Sequence, residues 1–144
     1  MTKENPYIKI SFRQETEEGE ITAESMWATK IGEHYRIENI PFLIYDVAFH
    51  DVVKVEEVDG VLEAIDVIEE SGHSTIRIYF ASEVSEETLS FLRKQGCGLE
   101  KFSKKVLAVD IPPLVKYEPI KEYLEEGEKK GFWEYEEGCL THEI

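Results

Sequence analysis

Basic residues are scarce in this chain: sixteen lysines and arginines face thirty-one aspartates and glutamates, a formal charge of −15. A potential of that sign disfavours nucleic acid and anionic membrane surfaces, and it speeds encounter with basic partners. Cysteine is scarce too. Cys97 and Cys139 form no Cys-x-x-Cys and have no histidine at metal-ligand spacing, so they read as reduced cytosolic thiols, with a single disulfide between them left open. No run approaches the roughly eighteen apolar residues of a membrane span, and Met1-Thr2-Lys3-Glu4-Asn5-Pro6 has no apolar signal core. A phosphate-cradling glycine loop is absent, since the one Gly-x-Gly, Gly96-Cys97-Gly98, follows a helix pattern rather than a strand. These absences point to a cytoplasmic protein without cofactor or metal.

The acidity is uneven. Residues 1–73 hold six basic and seventeen acidic side chains, a balance of −11, leaving −4 for the remainder. The negative face is therefore expected in the first half. A length of 144 residues suits one domain or two small ones packed together, with a core that needs no staples.

The stretch Ser71-Gly72-His73-Ser74-Thr75-Ile76-Arg77-Ile78-Tyr79-Phe80 marks a change of pattern. Before it lie short alternating segments. Tyr7 to Arg13 is an amphipathic strand, an acidic loop follows, and Gly32-Glu33 joins Ser25 to Ile31 with Tyr35 to Asn39 as a hairpin. Trp27 is expected in the core. Ile40 to His50 is apolar without alternation and opens on Pro41, which predicts a buried crossing loop. Asp59-Gly60 between Val52 to Val58 and Val61 to Ile68 is the strongest hairpin signal in the chain. Ile76, Ile78 and Phe80 alternate with Arg77 and Tyr79, as in a half-buried strand placed centrally in the fold.

After that strand, Ser85 caps a helix carrying Leu89 and Leu92 and stopped by Gly96. Strands follow near Leu99 to Ser103 and Val106 to Ile111. Pro119 opens a second helix with Ile120, Tyr123 and Leu124, and Phe132 to Glu136 is the last strand. The expected fold is α+β: an antiparallel β barrel or rolled sheet over residues 1–73, then a ferredoxin-like βαββαβ sandwich over 74–144, packed as one unit and sharing the pivot strand.

Two constellations carry chemistry. His73 beside Ser71 and Ser74, with Asp51 and His50, offers the parts of a hydrolase, and His34, His50 and His73 with Asp46 and Asp51 offer nitrogen and carboxylate ligands. Neither matches a known spacing, and no Gly-x-Ser-x-Gly elbow is present. The alternative for this loop is structural, with Gly72 permitting a turn and the serines satisfying its backbone. Phe132-Trp133-Glu134-Tyr135-Glu136 embeds aromatics in acid, which suits recognition of a basic protein, as do Glu56 and Glu57. Packing of the last strand explains the same aromatics equally well.

Glu24-Ser25-Met26-Trp27-Ala28, Tyr35-Arg36-Ile37-Glu38-Asn39-Ile40-Pro41-Phe42, Asp51-Val52-Val53 and Ser71-Gly72-His73-Ser74-Thr75-Ile76-Arg77 together resemble a bacterial family, domain of unknown function 4265. Members of that family usually have Leu or Val at the place of Met26, and commonly glycine where this chain has His50. The resemblance implies a compact cytosolic bacterial protein and brings no established reaction. The functional expectation is an acidic protein-binding module, an immunity or antitoxin-type inhibitor of a basic toxin. Its rivals are a small hydrolase or metal-dependent enzyme centred on Ser71, His73, Asp51 and His50, and a small-molecule sensor using the crevice between the two halves.

Overall fold

A computed structural model describes residues 6–143. In chain order the elements are β1 (Tyr7–Glu15), β2 (Ile21–Ile31), β3 (His34–Ile37), β4 (Val52–Val58), β5 (Val61–Glu69), β6 (Ser74–Phe80), α1 (Glu86–Gln95), β7 (Gly98–Lys101), β8 (Val106–Ile111), α2 (Glu118–Lys129) and β9 (Trp133–Cys139). They form a mixed α+β protein with two antiparallel sheets. The first runs β1-β2-β3-β4-β5, and β1 also meets β5 through a parallel bridge, Ser11 to Glu63. The second runs β7-β8-β6-β9.

Local chemistry explains the hairpins. Asp59 and Gly60 both take positive φ, 50° and 82°, as a two-residue turn between β4 and β5 requires. At α1, Ser85 Oγ accepts the Thr88 N–H at 3.2 Å, and Gly96 closes the helix in the left-handed region. α2 starts without a side-chain cap and has proline in its first turn.

Each sheet has its own core. Ile10, Phe12, Met26, Ala28, Ile37 and Val53 fill the first, joined by Ile44 and Val47 from the crossing loop. The second gathers Ile76, Ile78 and Phe80 with Leu107, Val109 and Ile111 against Leu92 of α1 and Ile120 and Leu124 of α2. Both helices thus cover one face of the second sheet.

The opposite face of that sheet is covered by residues 38–51, which adopt neither helix nor strand. This segment is pinned along its length. Glu24 on β2 accepts the backbone N–H groups of Phe42, Leu43 and Ile44 at 2.8, 3.0 and 3.2 Å. From the other side, Glu100 accepts the Ile40 N–H, Gly138 O accepts that of Asp46, and Arg77 donates to the carbonyls of Pro41 and Ile44. A chain without regular structure can be buried only when its amides find such partners.

Three expectations are corrected here. The pivot strand β6 is not shared between sheets: among the described residues it pairs with β8 and β9 alone, and the first sheet is made of β1 to β5. It is also buried on both faces, not one, because the crossing segment covers the side carrying Thr75 and Arg77. Trp27 is likewise not in the core. Met26 and Ala28 take the inward positions of β2, so alternation turns Trp27 outward, 42% exposed and under the Lys9 ammonium at 5.1 Å.

Candidate functional site

The loop before β6 brings its chemically able side chains together, but not as a nucleophilic triad. Asp51, 3% exposed, accepts from the N–H groups of Ala48 and Ser71 and from Ser71 Oγ, each at 2.9 Å. Ser71 Oγ also lies 2.8 Å from the Phe49 carbonyl and receives the His73 N–H. Asp51 and Ser71 therefore tie the crossing segment to the loop at residues 71–73. Ser74 is fully buried, and its Oγ accepts the N–H groups of Thr141 and His142, anchoring the chain after β9.

The His73 ring turns elsewhere. Its Nδ1 lies 2.9 and 3.0 Å from the two carboxylate oxygens of Asp110 on β8. This corrects the expected Ser71, His73 and Asp51 grouping, because the imidazole pairs with a different acid and the serine already serves the backbone. Burial pushes the Asp110 carboxyl above its usual range, against the pull of His73. Asp110 escaped the sequence reading although both flanking strands were anticipated. Antiparallel pairing places Thr75 opposite Asp110, so His73 and Asp110 meet at the strand ends.

His50 approaches His73 with ring centroids 5.6 Å apart, while Phe49 stacks on His50 at 3.9 Å. Its Nε2 sits 3.2 Å from Glu38, and burial still lowers its basicity below the ordinary imidazole value. The backbone at His50 has φ 70°, in the region that favours glycine. That geometry supplies a physical reason for glycine at this place in the resembled family. Among the described residues, no three His, Cys, Asp or Glu side chains gather as a metal set. Cys97 and Cys139 stand as free thiols, pushed up to about 12 and about 11 by burial and nearby carboxylates, so neither is a ready thiolate nucleophile.

The β9 aromatics divide. Trp133 is 6% exposed, and its indole N–H donates to the Leu124 carbonyl at 2.9 Å, which corrects its expected service as a partner anchor. The reason is a close fit: a Cβ on Gly127 of α2 would sit 2.0 Å from the indole. Tyr135 is half-buried and Glu134 exposed. Glu136 faces inward instead, accepting from Arg77 Nε at 2.8 Å, Tyr45 Oη at 2.6 Å and Tyr79 Oη at 2.7 Å. Burial raises its carboxyl, but these three donors outweigh that effect and hold it below the usual carboxylate range. The Tyr79 hydroxyl is pushed up to about 12 by burial and by Glu136.

Glu56 and Glu57 are exposed on the β4–β5 hairpin. On the same two strands Val58, Val61, Ile65 and Ile68 are exposed by 42%, 48%, 49% and 47%. Among the described residues, no ion pair engages Glu56, Glu57, Asp59, Asp66, Glu69 or Glu70. The sequence pattern singles out the two glutamates, while the exposure of these aliphatic side chains is visible only in the structure. No helix among the described residues is long and apolar enough to cross a membrane.

No curated protein matches the chain. A solved structure titled a novel crystal structure of a hypothetical protein from Neisseria gonorrhoeae is similar, with a TM-score of 0.87 and 23% identity over 96% of this chain and 98% of that one. At that identity the likeness speaks for the fold alone. The model for a domain of unknown function, DUF4265, matches residues 24–135. That span contains Glu24, Asn39, Asp51, Ser71 and Arg77, and each of them holds the crossing segment or its flanks: Asn39 accepts the Trp27 N–H at 2.6 Å, and the others are described above. The motifs that carried the resemblance are thus built into the architecture, and the chain belongs to the DUF4265 family.

Proposed function

We propose that the protein is an acidic protein-binding module of the immunity or antitoxin type, which covers the active site of a basic toxin in the cytoplasm. One observation carries the reading: the β4–β5 hairpin presents exposed aliphatic side chains together with Glu56, Glu57, Asp59, Asp66 and Glu69, which have no ion-pair partner among the described residues, whereas Glu63 is held by Arg13. Apolar contacts hold a partner, and the surrounding negative field selects a basic one and raises its encounter rate. The arrangement of Asp51 and Ser71 supports the same reading, since two of the three side chains expected to make a triad are engaged in holding the backbone.

The finer architecture belongs to this proposal. Of the described residues, those up to 73 form a small β barrel, supported by the Ser11 to Glu63 bridge, and those from 74 onward a ferredoxin-like βαββαβ sandwich, supported by the order β7-β8-β6-β9 with both helices on one face.

The test is capture of partners from the native lysate at low and high salt, using the natural chain and the variant Glu56→Lys/Glu57→Lys/Asp66→Lys. A basic partner that binds stoichiometrically, is released by salt, is missed by the variant and loses its own activity when bound supports the reading. A partner retained equally by the variant removes the hairpin from the interface. The Asp110-backed imidazole of His73 favours a second reading, a small hydrolase at this loop. There, His73→Ala would abolish turnover of a hydrolysable substrate while the fold survives.

A further inference from the structure

We propose that the cavity between the start of α1 and the end of α2 binds a small aromatic amine. The cavity has a volume of about 450 Å³, within the range of small-molecule sites. It lies apart from the β4–β5 hairpin in the chain and shares no lining residue with it, so the inference does not depend on the partner-binding reading.

Its inner lining is aromatic and fixed. Phe80 and Trp133, each 6% exposed, meet edge to face with centroids 5.4 Å apart, and Tyr123 stacks on Trp133 at 5.6 Å. The Trp133 N–H is satisfied by Leu124, so the indole offers the cavity an apolar surface in one orientation. Gly127 fixes the ring there, because any Cβ at that position would occupy the place of the indole. A planar ring suits such a lining.

The rim decides the charge. Glu83, Glu87 and Glu126 line it, with Lys130 as the single cation among the lining residues. Glu86 and Glu87 already answer the positive end of α1, which removes that helix end as an anion site. The Lys130 ammonium rests 3.6 Å from Glu126 and 6.0 Å from the centroid of Phe132, itself 55% exposed. The protein thus holds one of its own ammonium groups at the place where carboxylate and aromatic face meet. A ligand ammonium gains the same two interactions, and its ring reaches the lining that the lysine chain does not fill.

The full chain is titrated with tyramine while the indole N–H resonances of Trp133 and Trp27 are followed. Two isosteres run in parallel, neutral 4-ethylphenol and anionic 4-hydroxyphenylacetate, together with the peptide acetyl-Gly-Lys-Gly-amide. Tyramine should shift Trp133 saturably and leave Trp27 in place, with 4-ethylphenol roughly tenfold weaker and the anion weaker still. Glu87→Gln/Glu126→Gln should weaken tyramine without changing 4-ethylphenol. Lys130→Ala should tighten it, since the competing ammonium is gone. These substitutions are on exposed side chains, and unchanged resonances outside the cavity confirm that the variants fold. No saturable shift at Trp133, equal affinity for all three isosteres, or indifference to both variants would overturn the assignment. Tighter binding of the lysine peptide than of tyramine would also overturn it, moving the site to a basic side chain of a protein.

Discussion

Strands β5 and β6 are neighbours in sequence and opposites in environment. β6 buries six of its seven residues, with helices on one face and the crossing segment on the other, whereas β5 has no fully buried residue. Apolar side chains occur in both, so composition does not separate them. What differs is the material laid over each strand: β6 lies within a three-layer stack of helices, sheet and crossing loop, and β5 turns one face to water. The contrast teaches where stability resides: the second sheet and its pinned loop hold the molecule together, and the β4–β5 hairpin, with its exposed side chains, is the surface proposed for recognition.

The sharpest way to break this contrast is to remove the side chain that joins loop and sheet. Arg77 is fully buried, pairs with Glu136 and donates to two carbonyls of the crossing segment. Arg77→Ala should cost about 4 kcal/mol in urea unfolding, because it leaves those carbonyls unpaired in the interior. A loss below about 1 kcal/mol would show that the loop is held by other means. Next in size is a matched pair of truncations. Ile76→Ala, at a fully buried position, should cost about 3 kcal/mol. Ile65→Ala, half exposed on β5, should stay within about 0.5 kcal/mol. Equal costs would dissolve the distinction between the strands.

Smaller effects sharpen the comparison. Ser85→Ala removes the α1 cap and should cost about 1 kcal/mol, read as a lower midpoint in thermal unfolding. Glu136 tests the seam by pH. Its folded carboxyl lies below the usual range, so its contribution is present above the unfolded value and is lost as pH falls through the folded one. Glu136→Gln should therefore flatten the acid limb of stability against pH. A limb of unchanged slope would assign the acid sensitivity to other carboxylates.

Much of the fold was legible because its signals are local. Asp59-Gly60 dictates its turn through backbone conformation, and Ser85 and Gly96 bracket α1 through hydrogen bonds within a few residues. Pro41 and the lost alternation revealed the crossing segment. What could not be read was how layers meet. Alternation placed Arg77 on a solvent face, and only the crossing segment, more than thirty residues earlier, buries it. A similar distance hid Asp110 from His73, whereas the approach of Trp133 to Gly127, only a few residues apart, was hidden by the turn that folds β9 back against α2. The exposed glutamates of the hairpin were visible in sequence, since their placement needs nothing beyond the turn itself.

The central claim is that the β4–β5 hairpin recruits a basic partner, and the most direct measurement is the association rate constant of the captured partner across ionic strength. Natural chain and Glu56→Lys/Glu57→Lys/Asp66→Lys are compared under the same conditions. The account predicts a rate for the natural chain that falls about tenfold or more between low salt and roughly 0.5 M, and a variant that associates slowly at every salt concentration. Identical rates and identical salt dependence for the two proteins would contradict it.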